Sequence, residues 1–336
     1  AYAVLGGDRR QLRLAELLRQ DGAQVYIDGF DSVAGLEQSS LEQAVTADVV
    51  ILPLPVSMDG TTLYRPLSSS KLALEDLWPL LEPGRQGGCG GPAQVPRPLR
   101  PAKLARRALW PLLDSRRQLV CGGTIKKALR KQAEKARVDL IDYFDREEVQ
   151  VGNAVPTAEG AIQAAMEATE RTIHGARALV IGHGRIGRVL ARDLAGLGAL
   201  VTVSARRFSD LAWIEAEGFQ ALHTERLSGK LGEFDLIFNT APARILSRAL
   251  LEELKAGCVV IDLASEPGGV DFAAAEALGV RAIWARALPG KVAPLTAANV
   301  IRDAIYHIME ERGGKQLKHI RVGFAICGSF CTHSKV

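Results

Sequence analysis

The chain of 336 residues has few cysteines, few aromatic residues and no apolar run long enough to span a bilayer. Its five cysteines are odd in number and scattered, so we expect reduced thiols rather than a disulfide framework, and we predict no metal site. Aromatic residues make up 5% of the chain and do not interleave with the basic residues as a platform for stacked bases. These shortages argue against a membrane-spanning, disulfide-stabilised or nucleic-acid-binding protein.

The net charge of +4 is unevenly distributed. Residues 85–137 contain fourteen Lys or Arg and only two acidic residues, which is a local charge of +12. Part of this segment is an irregular Pro/Arg tract and part is a predicted helix with basic outer positions, so we interpret the charge as solvated. Residues 2–7 predict a strand that enters a turn rather than a leader peptide, and we expect a cytoplasmic protein that does not contact membranes.

The most informative motif is G-H-G-R-I-G at residues 182–187. It follows a short apolar run at 178–181, which predicts a buried strand, and precedes a segment at 188–195 with helical spacing of apolar residues. This order is the dinucleotide-binding fingerprint, in which the pyrophosphate lies at the helix N-terminus. The residues that we predict to contact the cofactor here are Gly182, His183, Gly184, Arg185, Ile186 and Gly187.

The second strand of this unit, predicted at 200–204, lacks the acidic residue that usually binds the ribose hydroxyls of NAD. It ends instead in Ser204 and continues into Arg206 and Arg207. A carboxylate would repel a 2′-phosphate, whereas a hydroxyl and two guanidinium groups can bind one. The sequence therefore favours NADP over NAD, with solvated loop arginines as the alternative.

Further strands are predicted near residues 236–238, 259–262 and 282–284, and the loops after them should face the nicotinamide end of the cofactor. The loop residues that we predict to contact the cofactor are Asn239, Thr240, Ala241, Pro242, Ala264, Gly268 and Gly269.

Strands and helices also alternate in the N-terminal half, which is typical of a parallel sheet. We predict an α/β protein with two doubly wound, Rossmann-like parallel-sheet domains joined by two long helices around a cleft. The predicted parts are a substrate domain at 1–155 with an irregular insertion at about 84–117, an inter-domain helix at 156–174 with Thr157 as its N-cap, a nucleotide-binding domain at 175–293, a helix at 294–312 that returns to the first domain, and a run-on tail at 313–336. A local duplication or a frame irregularity explains the insertion, and a functional lid is the alternative.

Several motifs together resemble the family of dipicolinate synthase A subunits, over residues 1–80 and 121–312. The matching segments are residues 6–11 (GGDRRQ), 153–160 (NAVPTAEG), 172–175 (TIHG), the fingerprint, 262–269 (DLASEPGG) and 288–294 (LPGKVAP). The chain departs from the family at 295–298, where Leu-Thr-Ala-Ala replaces a Lys-Thr-Ala-Gly pattern. Residues 320–332 resemble the opening strand and phosphate loop of the family's B subunit, but too little chain follows to form a flavin-binding fold.

The resemblance implies oxidation of dihydrodipicolinate to dipicolinate, which is pyridine-2,6-dicarboxylate, with a nicotinamide cofactor. It also implies a partner, the flavoprotein B subunit, and a location in the mother cell of a spore-forming bacterium. A dicarboxylate needs cationic or N–H-rich groups at both ends, and loss of the ring hydrogen needs a proton acceptor. The residues assigned to this substrate chemistry are Asp8, Arg9, Arg10, Ser57, Asn153, Thr157, Glu159 and Lys291.

Arg9 or Arg10, supported by Ser57 and Thr157, is expected to hold one carboxylate. Lys291 or the amides of Gly268 and Gly269 are expected to hold the other.

Asp8 or Glu159 is the expected proton acceptor, and capping of their own helices is the alternative. Other readings left open are an NAD(P)-dependent 2-hydroxy or 2-amino acid dehydrogenase, a non-catalytic nucleotide-sensing module, and a homo-oligomer.

Overall fold

The computed structural model describes residues 1–34, 36–82 and 118–317, with side chains up to residue 313. The predicted insertion at 84–117 and most of the predicted run-on tail lie outside these residues. No helix in the described part of the chain is long and apolar enough to cross a membrane.

The N-terminal unit is built on a five-stranded parallel sheet of order β2-β1-β3-β4-β5. Its strands are β1 (Tyr2–Leu5), β2 (Val25–Asp28), β3 (Val49–Ile51), β4 (Leu119–Gly122) and β5 (Leu140–Asp142). Its helices are α1 (Arg9–Gln20), α2 (Leu41–Ala44), α3 (Leu74–Leu77) and α4 (Lys127–Lys135). The sheet order reverses between β1 and β3, so the loops after these two strands diverge and leave a crevice at the sheet edge.

The C-terminal unit has a six-stranded parallel sheet of order β8-β7-β6-β9-β10-β11. Its strands are β6 (Arg177–Ile181), β7 (Leu200–Ala205), β8 (Gln220–His223), β9 (Leu236–Asn239), β10 (Val259–Asp262) and β11 (Arg281–Trp284). Counted from β6, this is the 3-2-1-4-5-6 order of dinucleotide-binding domains, with the crevice between β6 and β9. The prediction of two doubly wound parallel sheets is confirmed.

The remaining helices cover the second sheet or connect the two units. They are α5 (Glu147–Ala168), α6 (Arg185–Gly196), α7 (Phe208–Ala216), α8 (Arg248–Leu251), α9 (Phe272–Ala277), α10 (Leu288–Val292) and α11 (Pro294–Leu317). Strands β1, β3 and β4 are buried along their whole length, and β6 is buried after its first residue, the exposed Arg177, because helices cover both faces of a parallel sheet.

Helix α5 begins nine residues before the predicted start at 156, so the prediction that Thr157 caps it is wrong. Thr157 lies inside the helix, and its hydroxyl donates a hydrogen bond to the carbonyl of Asn153 at 2.7 Å. Pro156 also lies inside the helix. Gly152 lies so close to Val300 of α11 that an added Cβ would be 2.8 Å from its Cγ2, so packing between the two long helices favours a continuous α5.

The two long helices contribute to different cores. Ala158, Ala161 and Ala165 of α5 are buried against the second sheet. Ile301 and Ile305 of α11 are buried with the α1 side of the first sheet. Helix α11 therefore returns to the N-terminal unit, and it continues five residues past the predicted end at 312.

Candidate functional site

The glycine turn after β6 has the geometry of a phosphate cradle. Gly182 has φ +105°, which favours glycine, and a Cβ there would lie 2.5 Å from the Thr240 hydroxyl. A Cβ on Gly187 would lie 2.0 Å from the carbonyl oxygen of Gly182, so helix and strand can approach only without it. Gly184 is the N-cap of α6, and a Cβ there would meet no described atom within 4 Å. The turn is thus tight beneath and open above, as a bound pyrophosphate requires.

A cavity of about 560 Å³ lies over this turn at the carboxyl ends of the strands. It is lined by Phe144, Gln150, Asn153, Ala154 and Thr157 from the α5 side, by residues 181–186, 205–207 and 240–242, and by Asp210, Thr224, Ile245 and Ser265. The structure therefore brings the fingerprint, the end of β7, the loop after β9 and one face of α5 into a single space.

The end of β7 presents no acidic residue to the cavity. The strand continues one residue past the prediction to Ala205. Arg206 lines the cavity and has no hydrogen-bond or ion-pair partner among the described residues. Arg207 forms two hydrogen bonds of 2.8 Å with Asp210, so its charge is already neutralised. Ser204 is fully buried, and its hydroxyl accepts a hydrogen bond from Thr224 at 3.4 Å.

His183 lies in the turn with its side chain 2% exposed. Its Nε2 is 3.0 Å from Oε2 of Glu217, whose Oε1 accepts a hydrogen bond from Arg188, also at 3.0 Å. Burial acts to raise the pKa of the Glu217 carboxyl, but the bonds to His183 and Arg188 outweigh it, and the pKa is lowered. The imidazole therefore anchors the turn to Glu217, and only the backbone of His183 is left to meet a phosphate.

Arg185, a further fingerprint residue that lines the cavity, reaches across to α5. Its Nε donates to Oε1 of Glu147 at 2.8 Å, and its Nη2 donates to the second carboxylate oxygen at 2.5 Å. These hydrogen bonds lower the pKa of the Glu147 carboxyl. The pair joins the first residue of α5 to the first residue of α6 at the rim of the cavity.

The loops after β9 and β10 are organised by one buried carboxylate. Asp262 accepts hydrogen bonds from the side chain of Asn239 at 2.8 Å and from the amides of Ala264 at 3.1 Å and Gly269 at 2.7 Å. The amide of Gly268 bonds the carbonyl of Ser265 at 2.8 Å. Both amides are thus used within the loop in this structure, and their predicted contact with a substrate carboxylate stays a prediction.

The loop after β9 supplies cavity-lining groups, as the sequence predicted. Thr240 lies beneath the glycine turn, and its hydroxyl donates to the carbonyl of Ile181 at 2.9 Å. Ala241 and Pro242 also line the cavity. Asn239 is fully buried behind them and bonds the carbonyl of Ala241 at 3.1 Å, so its role is to shape this loop.

In the N-terminal unit, Asp8 and Arg10 bind each other. Asp8 is the N-cap of α1, and its Oδ2 lies 2.8 Å from Nη2 of Arg10. Arg10 is 5% exposed and also donates to the carbonyl of Leu54 at 2.6 Å. Each group therefore satisfies the other in this structure, and Asp8 caps its own helix, which was the alternative for it. The predictions that Asp8 accepts a proton and that Arg10 anchors a carboxylate stay predictions. Arg9 is exposed, with no partner in the described segments.

Three further predicted substrate residues lie apart from the cavity. Ser57 is buried; its hydroxyl donates to Asp59 at 3.0 Å and accepts from the amide of Gly60 at 2.9 Å, and its predicted contact with the substrate stays a prediction. Glu159 is exposed and lies about 200° around α5 from Thr157, and its role as proton acceptor stays a prediction. Lys291 is exposed on α10 and forms no hydrogen bond or ion pair with a described residue.

Sequence reasoning missed Gln150, Phe144 and Thr224, all of which line the cavity. Gln150 lies one turn before Ala154, and it was missed because α5 was expected to begin later. Thr224 directly follows β8, a strand that was not predicted. Its position after a strand next to β7 was the signal that could have found it.

Comparison with known proteins agrees with this geometry. A family model of the N-terminal domain of the dipicolinate synthase A subunit matches residues 1–88, and a model of the alanine dehydrogenase/PNT C-terminal domain matches residues 149–322. The chain is 30% identical over 316 residues to the A subunit of dipicolinate synthase from Bacillus subtilis strain 168, an alignment that covers 92% of this chain and 95% of that protein.

The chain belongs to the family of dipicolinate synthase A subunits. Among solved structures, the A subunit of dipicolinate synthase from Bacillus halodurans matches with a TM-score of 0.73 and 29% identity, over 92% of this chain and 97% of that one. The corresponding Bacillus subtilis structure matches with the same TM-score of 0.73 and 30% identity, over 94% and 97%. The C-terminal unit is a dehydrogenase-type domain for a nicotinamide nucleotide, as its family model indicates.

Proposed function

We propose that this chain oxidises dihydrodipicolinate to dipicolinate with NADP as the hydride acceptor. The reaction removes a hydride and a proton from the dihydropyridine ring, and the cofactor supplies the acceptor for the hydride. The observation that carries the proposal is the cavity, in which the glycine turn and one polar face of α5 meet in a member of the dipicolinate synthase family.

The residues present fit a dinucleotide. Gly184 leaves open space above the turn, and the first amides of α6 are not used by an acceptor in their own helix. Thr240, Ala241 and Pro242 form the wall where the turn ends. These residues would hold the pyrophosphate and the ribose next to it.

The substrate side of the proposal rests on α5. Asn153 and Thr157 present polar groups to the cavity from neighbouring turns of the helix. Arg9 and Lys291 stay proposed as anchors for the two carboxylates, since both are cations without a partner among the described residues. Oriented binding of the ring against the nicotinamide is the main requirement, because formation of the aromatic pyridine is energetically downhill.

The proposal also covers a partner protein and a cellular location. As in the family resemblance, the flavoprotein B subunit is the proposed partner, and the cytoplasm of the mother cell of a spore-forming bacterium is the proposed location. The NADP preference follows from the missing acid at Ala205 and from Arg206, which no described residue pairs.

The test is an ultraviolet assay of pyridine dicarboxylate formation from freshly generated dihydrodipicolinate. The full chain is supplied with NADP only, with NADP plus the B subunit, or with the B subunit but no NADP. We expect product and reduced cofactor to form in equal amounts whenever chain and NADP are present. Product that forms at the same rate without NADP, or no product in any mixture, would contradict the proposal.

A further inference from the structure

The carboxyl ends of β7 and β8 lie side by side at the edge of the cavity. In their parallel register Ala205 pairs with His223, so Arg206 and Thr224 are the next residues on neighbouring strands. Both line the cavity. The Thr224 hydroxyl lies 3.4 Å from that of Ser204, which is fully buried beneath it.

The polar groups at this edge are donors. Arg206 contributes an unpaired guanidinium, as far as the described chain shows, and Thr224 contributes a hydroxyl. The carboxylate of Asp210, which also lines the cavity, is neutralised by Arg207. Arg207 is the N-cap of the nine-residue α7, its side chain bonds Asp210, and no side chain caps the first amides of that helix. Such a set suits an anion with several oxygen atoms.

Ser204 determines what the Thr224 hydroxyl can do. Each hydroxyl has one hydrogen to donate and rotates freely. In this structure Thr224 donates to Ser204. When an anion occupies the edge, both hydroxyls can rotate so that Ser204 donates to Thr224 and Thr224 donates to the anion. In this arrangement both hydroxyls have a hydrogen-bond partner. A carboxylate in place of Ser204 could only accept, so it would hold the Thr224 hydrogen away from the anion.

We propose that Thr224, held by Ser204 and acting with Arg206, is the residue through which this chain selects a nicotinamide nucleotide that carries a 2′-phosphate. The inference rests on the nicotinamide cofactor of the proposed function. It adds a specificity-determining residue on a strand outside the fingerprint and outside the β7 end where the preference is usually sought.

The test measures binding of NADP, NAD, 2′,5′-ADP and 5′-AMP to the full chain by titration calorimetry. Thr224→Val removes the hydroxyl and keeps the shape of the side chain. We expect it to weaken NADP and 2′,5′-ADP by about tenfold, the scale of a hydrogen bond to a charged group. Binding of NAD and 5′-AMP should stay unchanged and shows that the variant is folded. Thr224→Ser should keep the wild-type preference.

Thr202→Val is the matched control. Thr202 lies on the same strand as Ser204, is buried, and donates to Gln220 at 3.2 Å rather than lining the cavity. It should leave the ratio of NADP to NAD affinity unchanged. The inference would be overturned if Thr224→Val weakened binding of all four ligands equally or of none of them. It would also be overturned if Thr202→Val changed the ratio of NADP to NAD affinity by the same amount.

The result separates the inference from the proposed function. If Thr224→Val lowers NADP affinity selectively but the wild-type chain forms no dipicolinate, the inference stands and the proposed reaction fails. If the wild-type chain binds neither dinucleotide, both are overturned.

Discussion

The side-chain amide of Asn239 donates to the carboxylate of Asp262 at 2.8 Å, and both residues are completely buried. They end the neighbouring strands β9 and β10, where their register pairs them directly. The two oxygens of Asp262 also receive the amides of Ala264 and Gly269. One buried pair therefore shapes both loops beside the expected nicotinamide position.

Asp262→Asn should destabilise the protein and weaken nucleotide binding. The new amide group places a donor against other donors, and an unsatisfied buried donor costs about 1–3 kcal/mol. Urea denaturation and NADP titration measure the two effects. Asp271→Asn, at the N-cap of α9, is the control, because Asn caps a helix as well as Asp. Equal effects of the two substitutions would contradict the role given to Asp262.

Two glycines of the fingerprint should respond differently to alanine. Gly187→Ala forces a Cβ onto the Gly182 carbonyl, and we expect the free energy of unfolding to fall by about 3 kcal/mol. The methyl group of Gly184→Ala meets no described atom, and as an N-cap change it should lower the free energy of unfolding by about 1 kcal/mol or less. It should nevertheless weaken NADP binding strongly, because the methyl group occupies the space expected for the phosphate. Gly196→Ala at the other end of α6 is the control for both measurements. If Gly184→Ala bound NADP with wild-type affinity, the assignment of this turn as the phosphate-binding site would be refuted.

Arg206→Asp should weaken NADP binding by about tenfold or more and change NAD affinity far less. The substitution removes a cation that has no partner among the described residues, and it introduces a negative charge that repels a 2′-phosphate. Quenching of intrinsic tryptophan fluorescence reports both affinities. Arg207→Ala is the matched comparison, since Arg207 is paired with Asp210 and should matter less to the NADP to NAD ratio. Equal affinities of the wild-type chain for the two cofactors, or tighter NAD binding, would rule out the NADP preference.

Arg9 and Arg10 are adjacent but should give opposite phenotypes. Arg10→Ala leaves the Asp8 carboxylate without its ion pair in a largely buried position, and we expect a loss of stability of about 3 kcal/mol. Arg9→Ala should leave stability unchanged and raise KM for dihydrodipicolinate, with Arg13→Ala as an exposed control on the same helix. Thermal denaturation and steady-state kinetics test the pair. Unchanged kinetics in Arg9→Ala would remove Arg9 from the proposed substrate site.

Much of the fold followed from local patterns. The strand at 259–262 was predicted with its observed ends, and the fingerprint strand and helix were placed correctly because their apolar spacing is strong and uninterrupted. Strands β4 and β8 were missed. Strand β4 has only four residues and directly follows an irregular tract. Strand β8 is a short, partly exposed edge strand, so neither strand has a long apolar run.

The sequence by itself determined the class of the protein, the position of the phosphate turn and the absence of an acid at the end of β7, because glycine conformation and charge act over a few residues. Only the tertiary structure decided which polar side chains remain available. His183 with Glu217 and Asn239 with Asp262 are joined by hydrogen bonds between residues far apart in the chain, which no local pattern reveals. Thr224 and Gln150 reach the cavity only through strand register and helix packing. A side chain's function depends on its partners in space, and those partners are chosen by the packing of elements distant in the chain.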